Sequence, residues 1–151
     1  MNDASKLAPS VRWVGYAGLL PQILCVLAVL AGGELQFVAI ACGFAYAAAI
    51  FSFLGGMWWG QALASGKGGA LHYGLAVLPS LLAVALFLPW TFGWEWPGPA
   101  LLYLGALIVA SPLVDRALGM ASPDYMRLRI QLSLGLGLLT IVLGILALRI
   151  V

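Results

Sequence analysis

Five apolar stretches, each about as long as a bilayer crossing requires, leave this chain few folds to adopt. A spanning helix needs about 20 largely apolar residues. Such stretches fall at about Trp13–Ala31, Leu35–Gly60 (apolar on to Ala64), Leu71–Pro89, Pro99–Val114 and Leu128–Leu148. The breaks are short and rich in turn formers: Gly32-Gly33-Glu34, Ser65-Gly66-Lys67-Gly68-Gly69 and Gly93-Trp94-Glu95-Trp96-Pro97-Gly98. Breaks this short make successive helices antiparallel neighbours. The sequence therefore predicts an all-α, polytopic membrane protein: a five-helix transmembrane bundle forming one domain over residues 1–151.

Composition excludes several alternatives. Of the 151 residues, 64% are hydrophobic and 8% charged, where a soluble domain carries about 25% charged residues. Seven Lys and Arg against five Asp and Glu form no basic stripe, so a nucleic-acid partner is not expected. Cys25 and Cys42 lie inside apolar runs without metal-ligand spacing, so neither a metal site nor a cofactor is indicated. Their depths match across the first two helices, which would let them face each other. Isolated thiols in apolar helices otherwise behave as small hydrophobes. The first apolar stretch is longer than the core of a signal peptide and is interrupted by Pro21-Gln22; it is read as a retained helix.

Charge gives a direction. With five spans, Lys6, Arg12, Lys67, Arg116, Arg127 and Arg129 share one side, and Arg149 stands opposite beside Glu34 and Glu95. The excess of Lys and Arg on cytoplasmic loops predicts a cytoplasmic N-terminus and an outside C-terminus. Trp90, Trp94 and Trp96 then fall at the outer interface, with Trp13, Trp58 and Trp59 near the inner one. Indoles favour both headgroup regions.

The second stretch is overlong. Leu35 to Ala64 makes about 45 Å of helix against a hydrocarbon core of ~30 Å. It must tilt, project, or break at Gly55-Gly56. Along it Ala48, Ser52, Gly56, Gly60 and Ala64 recur every fourth residue. Small residues at that spacing let membrane helices approach closely. Ser52, Gly56 and Gly60 are therefore predicted to pack against another helix of the bundle or of a membrane-protein partner.

Groups able to carry chemistry are few. No paired carboxylates, metal-binding motif or Ser/His/Asp set is visible, and no catalytic residue is assigned. An enzyme would have to work with His72, Asp115 and the arginines. Near the inner helix ends lie Arg12, Gln61, His72, Asp115, Arg116, Arg127, Arg129 and Gln131. Arg12, Gln61, His72, Asp115, Arg127 and Arg129 could converge on a basic cleft for a lipid headgroup, carboxylate or phosphate. Simple pairing of Asp115 with an arginine across the short loop is the plainer alternative. Pro21 and Pro79 sit within spans beside Gln22 and Ser80, and kinks of this kind occur around cavities as well as in ordinary packing.

Four runs resemble a known family: Gly15-Tyr16-Ala17-Gly18-Leu19-Leu20-Pro21, Ser52-Phe53-Leu54-Gly55-Gly56-Met57-Trp58-Trp59-Gly60, Leu78-Pro79-Ser80-Leu81-Leu82-Ala83, and Asp115 followed by Ser122-Pro123-Asp124-Tyr125-Met126-Arg127-Leu128-Arg129. They are similar to the transmembrane protein 69 family, whose shared region is domain of unknown function 3429, over nearly the whole chain. One position departs: relatives often carry a basic or polar residue before the tryptophan at 59, where this chain has Trp58. The resemblance implies a small multi-span protein of bacterial inner membranes or mitochondria, and implies no activity.

Two functions are compatible with these residues. One is a non-enzymatic accessory or assembly factor that meets other membrane proteins through the small-residue stripe. The other is a binder or carrier of a small molecule or lipid at the inner polar cluster.

Overall fold

A computed structural model of the chain describes residues 8–66, 68–94, 97–119 and 122–150. Lys6, Lys67, Glu95 and Trp96, used above for the charge and tryptophan bias, lie outside them. The helices are α1 (Pro9–Ala17), α2 (Leu20–Ala31), α3 (Gln36–Ser65), α4 (Ala70–Thr91), α5 (Gly98–Leu118) and α6 (Pro123–Ile150). Among the described residues, α1 and α2 together and each of the other four are long and apolar enough to cross a membrane.

The first span is broken. Pro21 stands in the first turn of α2, where a missing N–H costs nothing, and α1 ends at Gly18 on tight backbone bonds to Val14 and Gly15. The Tyr46 hydroxyl of α3 donates to the Gly18 carbonyl, satisfying a backbone group that the break leaves without a helical partner. No residue of α1 is buried. This half-helix rests chiefly on α6, where the Tyr16 hydroxyl donates to Gln131 Oε1 at 2.6 Å.

The long α3 does not break. It runs 30 residues through Gly55-Gly56 and stops at Gly66, whose φ of 63° forms a left-handed cap. Its close contacts are made by Gly43, where a Cβ would collide with Leu143, and by Gly55, where one would collide with the Ala76 carbonyl and meet Pro79 Cγ at 3.2 Å. Gly56 and Gly60 have nothing within 4 Å of a built Cβ. Within this chain Gly56 and Gly60 therefore make no close helix contact, whereas Ala48 of the same stripe packs against the core. Pro79, fully buried in α4, supplies the other side of the Gly55 contact.

The tightest seam joins α5 to α6. A Cβ on Gly105 would lie 2.7 Å from the Gly137 carbonyl oxygen, and one on Gly137 would lie 2.8 Å from that of Gly105. Gly98 meets Leu148, and Gly144 meets Leu101. The register is antiparallel and continues to Ser111 beside Ser133 and Asp115 beside Arg129. Lipid tails are as apolar as leucine, so membrane helices associate by van der Waals packing at small residues. That is why glycines recur along this seam. Ile40, Leu101, Leu104, Ile108 and Leu143 fill the fully buried centre. Mid-bundle, buried Gln22 of α2 donates to Thr140 Oγ1 of α6 at 3.1 Å, and Thr140 in turn donates to the Leu136 carbonyl at 2.7 Å.

Candidate functional site: a buried ion pair beside an apolar cavity

Near one end of the bundle, α5 and α6 each extend beyond the apolar stretch read from the sequence. α5 continues to Leu118 and α6 begins at Pro123, so Asp115 and Arg129 lie inside helices, not at their ends. Ser111 and Asp115 are four residues apart on α5, as are Arg129 and Ser133 on α6. That spacing stacks each pair on one helix face. The two faces meet. Arg129 Nε lies 3.1 Å from Asp115 Oδ2, with side-chain exposures of 7% and 1%. Arg129 also donates to Ser111 Oγ at 2.9 Å and to Ser133 Oγ. The second carboxylate oxygen, Oδ1, accepts the Trp58 indole N–H of α3 at 2.9 Å. The Ser111 hydroxyl itself donates a hydrogen bond to the Ile108 carbonyl at 2.6 Å.

An unpaired charge here would be severely penalised, so carboxylate and guanidinium hold each other while Trp58, Ser111 and Ser133 supply further hydrogen bonds. The pair is net neutral. Of the six residues grouped as a cleft, Asp115 and Arg129 come together. Arg12 and Arg127 are exposed. Gln61 is half-buried on α3, and His72 uses Nδ1 to accept the Gly69 backbone N–H at 3.3 Å at the start of α4. The pairing of Asp115 with an arginine, the plainer alternative, describes what these two residues do. Cys25 and Cys42 are both free thiols, the first half-buried and the second exposed.

Beside this pair lies a cavity of about 660 Å³, walled by α1, α3 and α6. Val14, Phe53, Leu54, Leu132 and Leu136 give it apolar sides, and Ser10, Tyr46, Tyr125, Arg129 and Ser133 are also among its lining residues. Val14 and Phe53, on its two sides, are 73% and 64% exposed. The Tyr125 hydroxyl has a weak partner, Met57 Sδ at 3.9 Å.

Residues 7–145 match the sequence model of a family described as a protein of unknown function, DUF3429. The chain belongs to the DUF3429 family. No curated protein and no solved structure matches it. The matched region of this DUF3429 protein takes in the ion pair and the whole cavity lining.

Several site residues of the DUF3429 chain escaped the sequence reading. Trp58 was expected at the membrane interface and is instead 3% exposed, donating to Asp115. Trp13, Trp59, Trp90 and Trp94 are exposed on the bundle surface, as a bilayer-facing position requires. Ser111 and Ser133 carried a usable signal, since each sits one turn from a charge within an apolar run. Tyr46 carried none, because an aromatic in a span gives no hint of which wall it lines, and Tyr125 stood outside the apolar stretch, within a run that carries the family resemblance.

Proposed function

We propose that this DUF3429 protein binds a hydrophobic small molecule or lipid in the cavity between α1, α3 and α6, within a bacterial inner membrane and with its N-terminus cytoplasmic. The cavity carries this reading. Its volume lies within the range of about 300–1,000 Å³ found for small-molecule sites, and it is apolar with a few convergent polar groups. The buried ion pair serves as a rigid polar wall of the site. The excess of arginine at the end of the bundle bearing Asp115 and Arg129 supports the orientation.

Native mass spectrometry of gently extracted protein tests this reading. A retained adduct is expected with the wild-type chain and is lost in Leu132→Trp, which narrows the cavity between α1 and α6. A wild-type spectrum without adduct, or an adduct that survives Leu132→Trp, overturns it.

The accessory-factor reading keeps one observation in its favour. Gly56 and Gly60 lie exposed with open space above them, which leaves the stripe free for a helix of another protein. Gly56→Leu with Gly60→Leu should then abolish co-purification of that partner and leave the monomer intact. Purification as a lone monomer with or without the change removes this reading.

A further inference from the structure

We infer that the occupant of this cavity is an uncharged, single-chain amphiphile headed by a carbonyl, with the carbonyl at Tyr125 and Arg129 and the chain lying along α6. The inference rests on the ligand-binding reading above and specifies its ligand class.

Charge comes first. Arg129 is the one charged residue among the described residues that line the cavity, and Asp115 already neutralises it at 3.1 Å. An anionic headgroup would have to displace or approach the Asp115 carboxylate. A cationic one would face the guanidinium. In a medium this apolar, either would have to leave water without a counter-ion, a cost far above that of a neutral group. The site favours a molecule without net charge.

Hydrogen bonding then selects the head. The donors of Arg129 outnumber its partners Asp115, Ser111 and Ser133. One turn away on the same face, the Tyr125 hydroxyl has, among the described residues, only the Met57 sulfur at 3.9 Å, a poor acceptor. Donors are in surplus at this end of the cavity. A matching ligand brings acceptor oxygen, and a carbonyl supplies that without charge.

The remaining lining fixes the tail. From Tyr125 to Leu136 the wall runs about 16 Å along α6 at 1.5 Å per residue, and beyond Ser133 it is apolar. A volume of about 660 Å³ suits one flexible chain better than the two chains of a phospholipid. A fatty-acyl ester and a prenylated quinone share this chemistry: a neutral carbonyl at one end, one chain behind it.

Titration of the purified full-length protein with four probes separates the outcomes. Monomyristoylglycerol and a short-chain prenylquinone carry the neutral carbonyl. Myristate at neutral pH carries the charge, and tetradecane has no acceptor. One or both carbonyl probes should bind at least tenfold more tightly than myristate and tetradecane, and the tighter of the two identifies the source. Tyr125→Phe, which keeps the ring, should weaken carbonyl binding about fivefold and leave tetradecane unchanged. Myristate or tetradecane binding as tightly as both carbonyl probes overturns the ligand class and leaves the cavity reading standing. If no probe binds, or if Leu132→Trp leaves every affinity unchanged, both fall.

Discussion

Arg129 Nε approaches Asp115 Oδ2 to 3.1 Å from an adjacent helix, with both side chains almost wholly withdrawn from the surface. Within a membrane such a pair holds together because each charge is the other's only means of avoiding an isolated burial. Removing one partner is therefore worse than removing both. Asp115→Ala or Arg129→Ala should each destabilise the bundle by about 3–5 kcal/mol. The combined Asp115→Leu and Arg129→Met change should recover most of that loss. Unfolding of the purified protein under denaturing detergent measures all three, and additive losses in the double variant would contradict the pairing account.

The α5–α6 seam makes a contrasting demand. A side chain on Gly105 or Gly137 has no room, since the opposing carbonyl oxygen would sit within 2.8 Å of the new Cβ. Gly105→Leu or Gly137→Leu should cost at least about 1–3 kcal/mol, as overpacking does. Gly56→Leu should change monomer stability by less than about 0.5 kcal/mol. A thermal-stability comparison in detergent distinguishes them. Equal losses at positions 56 and 105 would mean that the stripe on α3 is covered within the chain after all.

The break between α1 and α2 should be a soft point. α1 buries none of its residues and is tied by Tyr16 to Gln131 and, at its end, by Tyr46 to the Gly18 carbonyl. Segments with so few buried contacts open at low free energy. Amides of Val11–Ala17 should exchange with deuterium far faster than those of Ala39–Leu54. Tyr46→Phe, at a loss of about 1 kcal/mol, should accelerate the first group further. Uniform protection across both segments would show α1 to be as firmly held as the core.

Much of this architecture was visible before the structure, and particular residues show where visibility ended. Apolar length alone placed five spans, because a bilayer imposes its thickness on any chain that crosses it. Helix ends were harder. Hydropathy falls off at Val114 and recovers at Leu128, yet the helices run to Leu118 and from Pro123, since backbone hydrogen bonding does not stop where side chains turn polar. That shift moved Asp115 and Arg129 from helix ends to a buried seam. Arg12 and Arg127 share their end of the bundle but project elsewhere, a distinction that side counting along the chain does not make. The glycine stripe at four-residue spacing drew attention to Gly56 and Gly60. The real seam uses Gly98 with Gly105 and Gly137 with Gly144, which repeat at seven residues on two separate helices. Their partnership becomes visible once the antiparallel register is known.

The most direct test of the binding account is where a bound molecule sits. A photoreactive single-chain ester, carrying a diazirine in its tail, can be crosslinked to the protein in lipid vesicles and the adducts mapped by peptide sequencing. Labelling is expected to concentrate at Val14, Leu132 and Leu136, to fall with excess unlabelled ester, and to vanish from those positions in Leu132→Trp. Labelling spread evenly over exposed lipid-facing positions such as Leu30, Leu81 and Leu138, and unaffected by competitor, would contradict it.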